Sequence, residues 1–141
     1  MLRGVGHGRG VDWWTLGILI YELLAGYTPF DHNDPNVICN KVIEGKYSFP
    51  NHFSKYACDL IKRLLNPKPP RRLGVIKGGA KMVKKHKWFK NIDWEALKEK
   101  TLPAPFLPKI SGPEDLSNFD TDGIEDSIIP FSGDNEIFAD F

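Results

Sequence analysis

The stretch Val11-Asp12-Trp13-Trp14-Thr15-Leu16-Gly17-Ile18-Leu19-Ile20-Tyr21-Glu22-Leu23-Leu24-Ala25-Gly26-Tyr27-Thr28-Pro29-Phe30 decides how the rest of the chain is read. Asp12 can cap a helix that runs to about Ala25, where Gly26 supplies the stop. Trp13, Trp14, Leu16, Ile18, Leu19, Ile20, Tyr21, Leu23 and Leu24 occupy the whole circumference of that helix instead of one stripe, the pattern of a helix buried on all sides. A chain of 141 residues can hardly enclose it. Trp13 to Ala25 is shorter than a membrane span and is interrupted by Glu22, so no membrane partner is expected.

Upstream, Gly4, Gly6, Gly8 and Gly10 make residues 1–11 a loop. Downstream, Asp34-Pro35 is a cap followed by proline at the first helical position, and it opens a short helix through Val37, Ile38, Lys41 and Val42 to Gly45. Phe49-Pro50 breaks the chain. Ser54 then caps an amphipathic helix in which Ala57, Leu60, Ile61, Leu64 and Leu65 follow the i, i+3, i+4, i+7, i+8 rule, before Asn66 and Pro67 end it. A lysine-rich helix is expected over Ala80–Lys85 and another behind Asp93. Prolines 103, 105, 108 and 113 and the acidic stretch after them deny any regular element from Leu102 onward. The fold expected is mainly α, followed by an extended, acidic tail.

The apolar fraction of 41% and charged fraction of 26% belong to a soluble globular chain, and the net charge of +1 conceals an asymmetry. Residues 1–100 hold 18 Lys and Arg against 9 Asp and Glu, or +9, whereas residues 101–141 hold Lys109 against 9 acids, or −8. The densest basic run is Lys77, Lys81, Lys84, Lys85, Lys87 and Lys90. A solvated helical face explains that run better than nucleic-acid binding, because no aromatic-and-basic groove pattern accompanies it. Cys39 and Cys58 stand far apart with no C-x-x-C or His-spaced partner, so neither a disulfide framework nor a metal site is signalled and buried free thiols are expected. The first residues have neither the basic start nor the apolar run of a signal peptide, which points to an intracellular protein, cytoplasmic with nuclear residence also open.

Val11 to Phe30 resembles the long central helix of the large lobe of protein kinases, with the G-x-x-P-F turn that follows it. Arg71-Arg72-Leu73-Gly74, His86-Lys87-Trp88-Phe89, Asp93-Trp94, Pro105-Phe106-Leu107-Pro108, Ser117-Asn118-Phe119-Asp120 and the terminal Phe138-Ala139-Asp140-Phe141 look like successive landmarks of the large lobe and tail of AGC kinases. The likeness is strongest to the protein kinase A-like group, with cyclic-GMP-dependent kinases as the near alternative. It implies a partial large lobe over residues 1–89 and an AGC carboxy-terminal extension over 90–141.

By that resemblance, Asp12 is similar to the aspartate that anchors the catalytic loop through backbone amides, and Leu19 and Leu23 to the floor under the apolar column that ends at adenine. Glu22, Tyr27 and Phe30 resemble the surface facing the substrate peptide, Glu22 matching the acid that pairs with an arginine before the phosphorylated serine. A structural salt bridge is the equal rival for Glu22, since a carboxylate in a buried apolar helix needs a cation. Arg72 looks like the arginine that pairs with the glutamate of A-P-E, a motif this sequence lacks, so Arg72 should be unpaired or hold a substitute partner. Phe119 resembles the tail phenylalanine over adenine, and Phe138 and Phe141 the terminal aromatics that dock on the small lobe. The family pattern has an aromatic where this sequence has Asp122, and Ser127 and Ser132 are the candidate tail phosphorylation sites.

The Gly-rich loop over ATP, the V-A-I-K lysine, H-R-D, D-F-G and A-P-E are all missing from these 141 residues. The resemblance thus implies part of an ATP- and Mg²⁺-dependent serine/threonine kinase with protein substrates and a cyclic-nucleotide regulatory subunit as partners, and a chain that is inactive alone and holds no metal. The rival reading is a non-catalytic, kinase-like interaction protein.

Overall fold

The structure, a computed structural model, describes residues 6–120. Two compact units divide between Glu99 and Lys100. The first contains five α-helices among its described residues: α1 (Gly10–Ala25), α2 (Pro35–Glu44), α3 (Lys55–Leu64), α4 (Gly79–Lys84) and α5 (Trp94–Lys98), with 3-10 turns at Pro69–Arg71 and Lys87–Phe89. No strand occurs among the described residues. The mainly helical class expected from the sequence is the one found.

Local chemistry accounts for the helix ends. Asp34 accepts from the Asn36 amide ahead of Pro35, Ser54 from the Ala57 amide, and Asp93 from the amides of Glu95 and Ala96. Gly26 and Gly45 close α1 and α2 with positive φ, 82° and 68°, as C-terminal glycines do. The start of α1 departs from expectation. Arg9, not Asp12, stands at its N-cap, and Gly10 is already helical. The early start is held from outside the helix: the Arg72 guanidinium donates to the Gly10 carbonyl at 2.7 Å, and the Val11 amide donates to Gly8 O. Asp12 is left in the first turn, where a carboxylate still favours the positive end of the helix. Helix α4 begins one residue ahead of the expected Ala80, at Gly79 behind Gly78 in a left-handed conformation.

The core forms where α1 crosses α3. Gly17 permits the approach, since a Cβ there would come within 2.8 Å of Leu65 Cδ2 and 3.0 Å of Leu64 Cβ. Ile20, Tyr21 and Phe30 meet Leu60, Ile61, Leu64, Leu65, Leu73 and Val83 in one buried cluster. Around Tyr21 stand the rings of Tyr27, Tyr47, Phe49 and Phe53, each with its centroid between 5.2 and 6.4 Å away, and the Tyr21 hydroxyl donates to Ser48 O at 2.9 Å. Burial and the nearby Tyr27 phenol push the Tyr21 phenol up to about 12. Burial first, then the neighbouring Cys58 and Tyr21, raises Tyr47 to about 12.

The face of α1 away from α3 is bare, so the helix is not enclosed. Leu19 is 50% exposed, Leu23 76% and Leu24 39%. The all-round apolar pattern is therefore satisfied on one side only. Cys39 and Cys58 are free and half-buried instead of fully buried.

The second unit contains neither helix nor strand over residues 100–120. It is less extended than expected, because the Asp115 carboxylate gathers a turn. Ser111 donates to it through its amide at 2.6 Å and its hydroxyl at 2.8 Å, and the Ser117 amide donates at 2.8 Å. Hydrogen bonds from Ser117 and Ser111 hold this carboxyl well below the usual carboxylate range. The expected sites Phe138 and Phe141, and with them Asp122, Ser127 and Ser132, lie outside the described residues.

Candidate functional site

Two places on the first unit carry chemistry: the exposed end of α1 and a cleft at its beginning. At the exposed end, Glu22 lies on the solvent side of α1, and its carboxylate has no hydrogen-bond or ion-pair partner among the described residues. The buried salt bridge that rivalled the substrate-facing role is thus not formed among the described residues. The reason is positional: Glu22 follows the buried pair Ile20 and Tyr21 around the helix and points away from α3. Tyr27, just past the Gly26 turn, is 49% exposed. Phe30, in contrast, is 4% exposed, its ring stacked on Trp14 at 5.7 Å and met edge-on by Tyr47 at 5.4 Å. Of the three residues expected to face a peptide, Glu22 and Tyr27 share the accessible surface and Phe30 supports the turn from inside. Leu19 and Leu23, one turn apart, form the exposed apolar ridge beside Glu22.

The cleft encloses about 780 Å³ and is walled by Gly10, Trp13, Trp14, Val42, Pro69 and Arg72. Arg72 is 6% exposed. The expectation that it would be bare or take a substitute partner resolves toward the second alternative. Its Nε and Nη2 both donate to Asn66 O, at 3.0 and 2.9 Å, its Nη1 donates to Gly10 O, and its Cζ lies 4.9 Å from the Trp14 ring centre. Backbone carbonyls and an indole face hold the guanidinium, with no carboxylate on it among the described residues. Desolvation lowers its pKa. Asp12 is exposed near this end of α1. Its backbone carbonyl accepts from the Thr15 hydroxyl, and its carboxylate is without a partner among the described residues.

A network the sequence reading missed joins α3 to the Lys87–Phe89 turn. The Asp59 carboxylate accepts from Arg63 Nε and from His86 Nε2, both at 2.9 Å, while His86 Nδ1 accepts from the Trp88 amide at 3.2 Å. With Nδ1 accepting, Nε2 is the nitrogen that donates to Asp59. The bond from His86, helped by Arg63, holds the Asp59 carboxyl below its ordinary range. The i, i+4 spacing of Asp59 and Arg63 was a readable signal, whereas nothing in the sequence placed His86 beside them.

No group of three or more His, Cys, Asp or Glu stands together among the described residues as a metal site would require. In the second unit Phe119 is 70% exposed, its amide donating to Leu116 O.

The protein kinase domain profile matches residues 1–89. The cAMP-dependent protein kinase catalytic subunit PRKX of Homo sapiens is 46% identical over 144 residues, covering 100% of this chain and 40% of that protein. The cAMP-dependent protein kinase catalytic subunit of Dictyostelium discoideum is 50% identical over 120 residues, covering 85% of this chain and 18% of its own length. The cGMP-dependent protein kinase, isozyme 1, of Drosophila melanogaster is 46% identical over 117 residues, with 82% and 15% covered. The chain thus spans two fifths or less of each of these relatives.

Proposed function

Since the chain belongs to the protein kinase family, which its residues 1–89 match, we propose that it forms the carboxy-terminal part of the large lobe, with the following tail, of a cAMP-dependent-type serine/threonine kinase. The whole enzyme would move the γ-phosphoryl of ATP to Ser or Thr in basic surroundings. Carrying this reading is the exposed carboxylate of Glu22, without a partner among the described residues, in a chain whose relatives are cyclic-nucleotide-dependent kinases. An acid so placed meets an arginine of a peptide without first giving up a bond inside the protein.

Phosphoryl transfer needs a lysine on the phosphates, an aspartate at the hydroxyl and carboxylate and amide ligands for Mg²⁺. These 141 residues contain none of the motifs that supply them, so ATP and Mg²⁺ do not fit this chain by itself and belong to other parts of the enzyme. What the chain supplies is support. Asp12, whose carboxylate has no partner among the described residues, anchors the catalytic loop, Leu19 and Leu23 form the floor toward the adenine side, and Arg72 takes a glutamate from a segment outside this chain. Phe119 closes over the nucleotide, and Phe138 and Phe141 dock on the small lobe. A cyclic-nucleotide regulatory subunit is the partner proposed, and the cytoplasm and nucleus the places of action.

The test has two arms. The purified 141-residue chain should phosphorylate no basic serine peptide above blank, and turnover that survives repurification and scales with this protein would overturn the support role. In a full kinase carrying this segment, Glu22→Gln should raise KM for a peptide with arginine before the serine, by the roughly 1.5–3 kcal/mol of a charge-assisted bond, and leave KM for a peptide without it nearly unchanged. Equal KM changes together with a large fall in thermal midpoint would return Glu22 to a structural role. The exposed ridge of Leu19, Leu23, Leu24 and Tyr27 favours a second reading, a non-catalytic protein that binds through this face. A stable, monomeric 141-residue chain that captures an intact kinase lobe would establish it.

A further inference from the structure

Between Leu60 and Ile92 the sequence carries eleven Lys and Arg and no acid. Among the described residues Arg63 alone of these meets a carboxylate, that of Asp59, while Arg72 is buried on backbone carbonyls. The rest face solvent, concentrated around α4. Lys81, Lys84 and Lys85 stand at i, i+3 and i+4 on one side of that helix, opposite the buried Val83, with Lys77, Lys87 and Lys90 exposed on either flank. The acids nearest in sequence do not neutralise them. Asp93 is engaged by the amides of Glu95 and Ala96, and neither Glu95 nor Glu99 forms an ion pair with any of these lysines. The one carboxylate that reaches this face is Asp59, shared between His86 and Arg63, and so large an excess of like charge carries a self-repulsion that an anionic partner relieves.

We infer that the lysine face of α4 and the Lys87–Phe89 turn is a docking surface for an acidic peptide segment, of the chemistry this chain itself carries beyond residue 109. Charge complementarity is the argument. From Ile110 to Phe141 there are nine Asp and Glu and no Lys or Arg, so the occupant is this acidic segment of a second copy of the chain, a matching polyanion. Nucleic acid fits less well. The aromatic rings by this face are half-buried and turned on one another, Trp88 on Phe89 at 4.8 Å and Phe89 on Trp94 at 5.3 Å. Lys84 Nζ covers the Trp94 ring at 4.9 Å, which leaves no bare stacking platform for a base. A membrane also fits less well, since Val83 of α4 is committed to the core and Met82 is the one large apolar side chain that this short helix exposes, too little for an apolar face.

The experiment uses the full 141-residue chain and a fluorescent synthetic peptide copying residues 113–141. Anisotropy should show saturable binding at 50 mM salt that weakens at least tenfold by 500 mM, where screening shrinks to a few ångströms. Lys81→Glu with Lys85→Glu should weaken binding at least tenfold. Lys46→Glu with Lys55→Glu, which makes the same change in net charge on other elements, should weaken it less than threefold. Both lysine pairs are exposed or half-exposed on the surface, and helical circular dichroism should be unchanged in both variants. A peptide with its nine acids replaced by Asn and Gln should not bind. The inference is overturned if the native peptide fails to bind, if the two variants lose affinity equally, or if the neutral peptide binds as well. It is also overturned if a single-stranded oligonucleotide or a phosphatidylserine vesicle displaces the peptide at lower concentration than unlabelled peptide does.

Discussion

Gly74→Ala should be among the most damaging single substitutions in the first unit. Gly74 has φ of 92°, a conformation that L side chains rarely adopt, and a Cβ added there would overlap atoms Cγ, Cδ2 and Cε2 of the Trp13 ring. Two costs therefore add. A left-handed backbone costs an alanine about 1–2 kcal/mol. Displacing a packed indole costs about 1–3 kcal/mol. Neither side can yield cheaply, because Trp13 is held on α1, and the Leu73 amide beside Gly74 donates to Arg63 O at the end of α3. The total of roughly 2–5 kcal/mol is a large fraction of an ordinary domain's stability. At a urea dependence of about 1.5 kcal/mol per molar, the midpoint should fall by between about 1 and 3 M. Urea unfolding followed by circular dichroism and tryptophan fluorescence reads it, with Gly8→Ala as the control, since a Cβ at Gly8 meets nothing and its φ is not positive. A Gly74→Ala midpoint equal to the parent's would show that Trp13 does not rest on Gly74 and that the reasoning about this contact is wrong.

Alkaline titration read in absorbance at 295 nm should show Tyr21 and Tyr47, both raised to about 12, ionising above the ordinary phenol value near 10. Because their folded values lie above the unfolded value near 10, the stability they contribute is fully present below pH 10 and is lost as pH rises toward 12, so the thermal midpoint should fall across that window. Ionisation of Tyr21 and Tyr47 near 10 would contradict the buried ring cluster. Arg72→Lys should destabilise by roughly 2 kcal/mol or more, because an ammonium cannot donate to Asn66 O twice, reach Gly10 O and stack on Trp14 together. If Arg72→Lys and the parent melt together, the carbonyl cradle is not a structural support.

Much of this organisation was legible in local sequence. Helices α2, α3 and α5 follow from Asp34-Pro35, Ser54 and Asp93 as caps and from the 3.6-residue apolar period, because caps and periodicity act within one or two turns of chain. The kinase likeness rested on the same kind of information, short runs in fixed order. What could not be read are arrangements that depend on residues distant in sequence. The start of α1 at Gly10 is set by Arg72, 62 residues away, and the partner of His86 is Asp59, 27 residues back. Sequence periodicity predicted an α1 apolar on every face, but only the packing of α3 against Gly17 decided which face would be covered and which would leave Leu19, Glu22 and Leu23 in solvent. A hydrophobic pattern states how much surface seeks burial, whereas the partner that buries it is chosen by the rest of the fold.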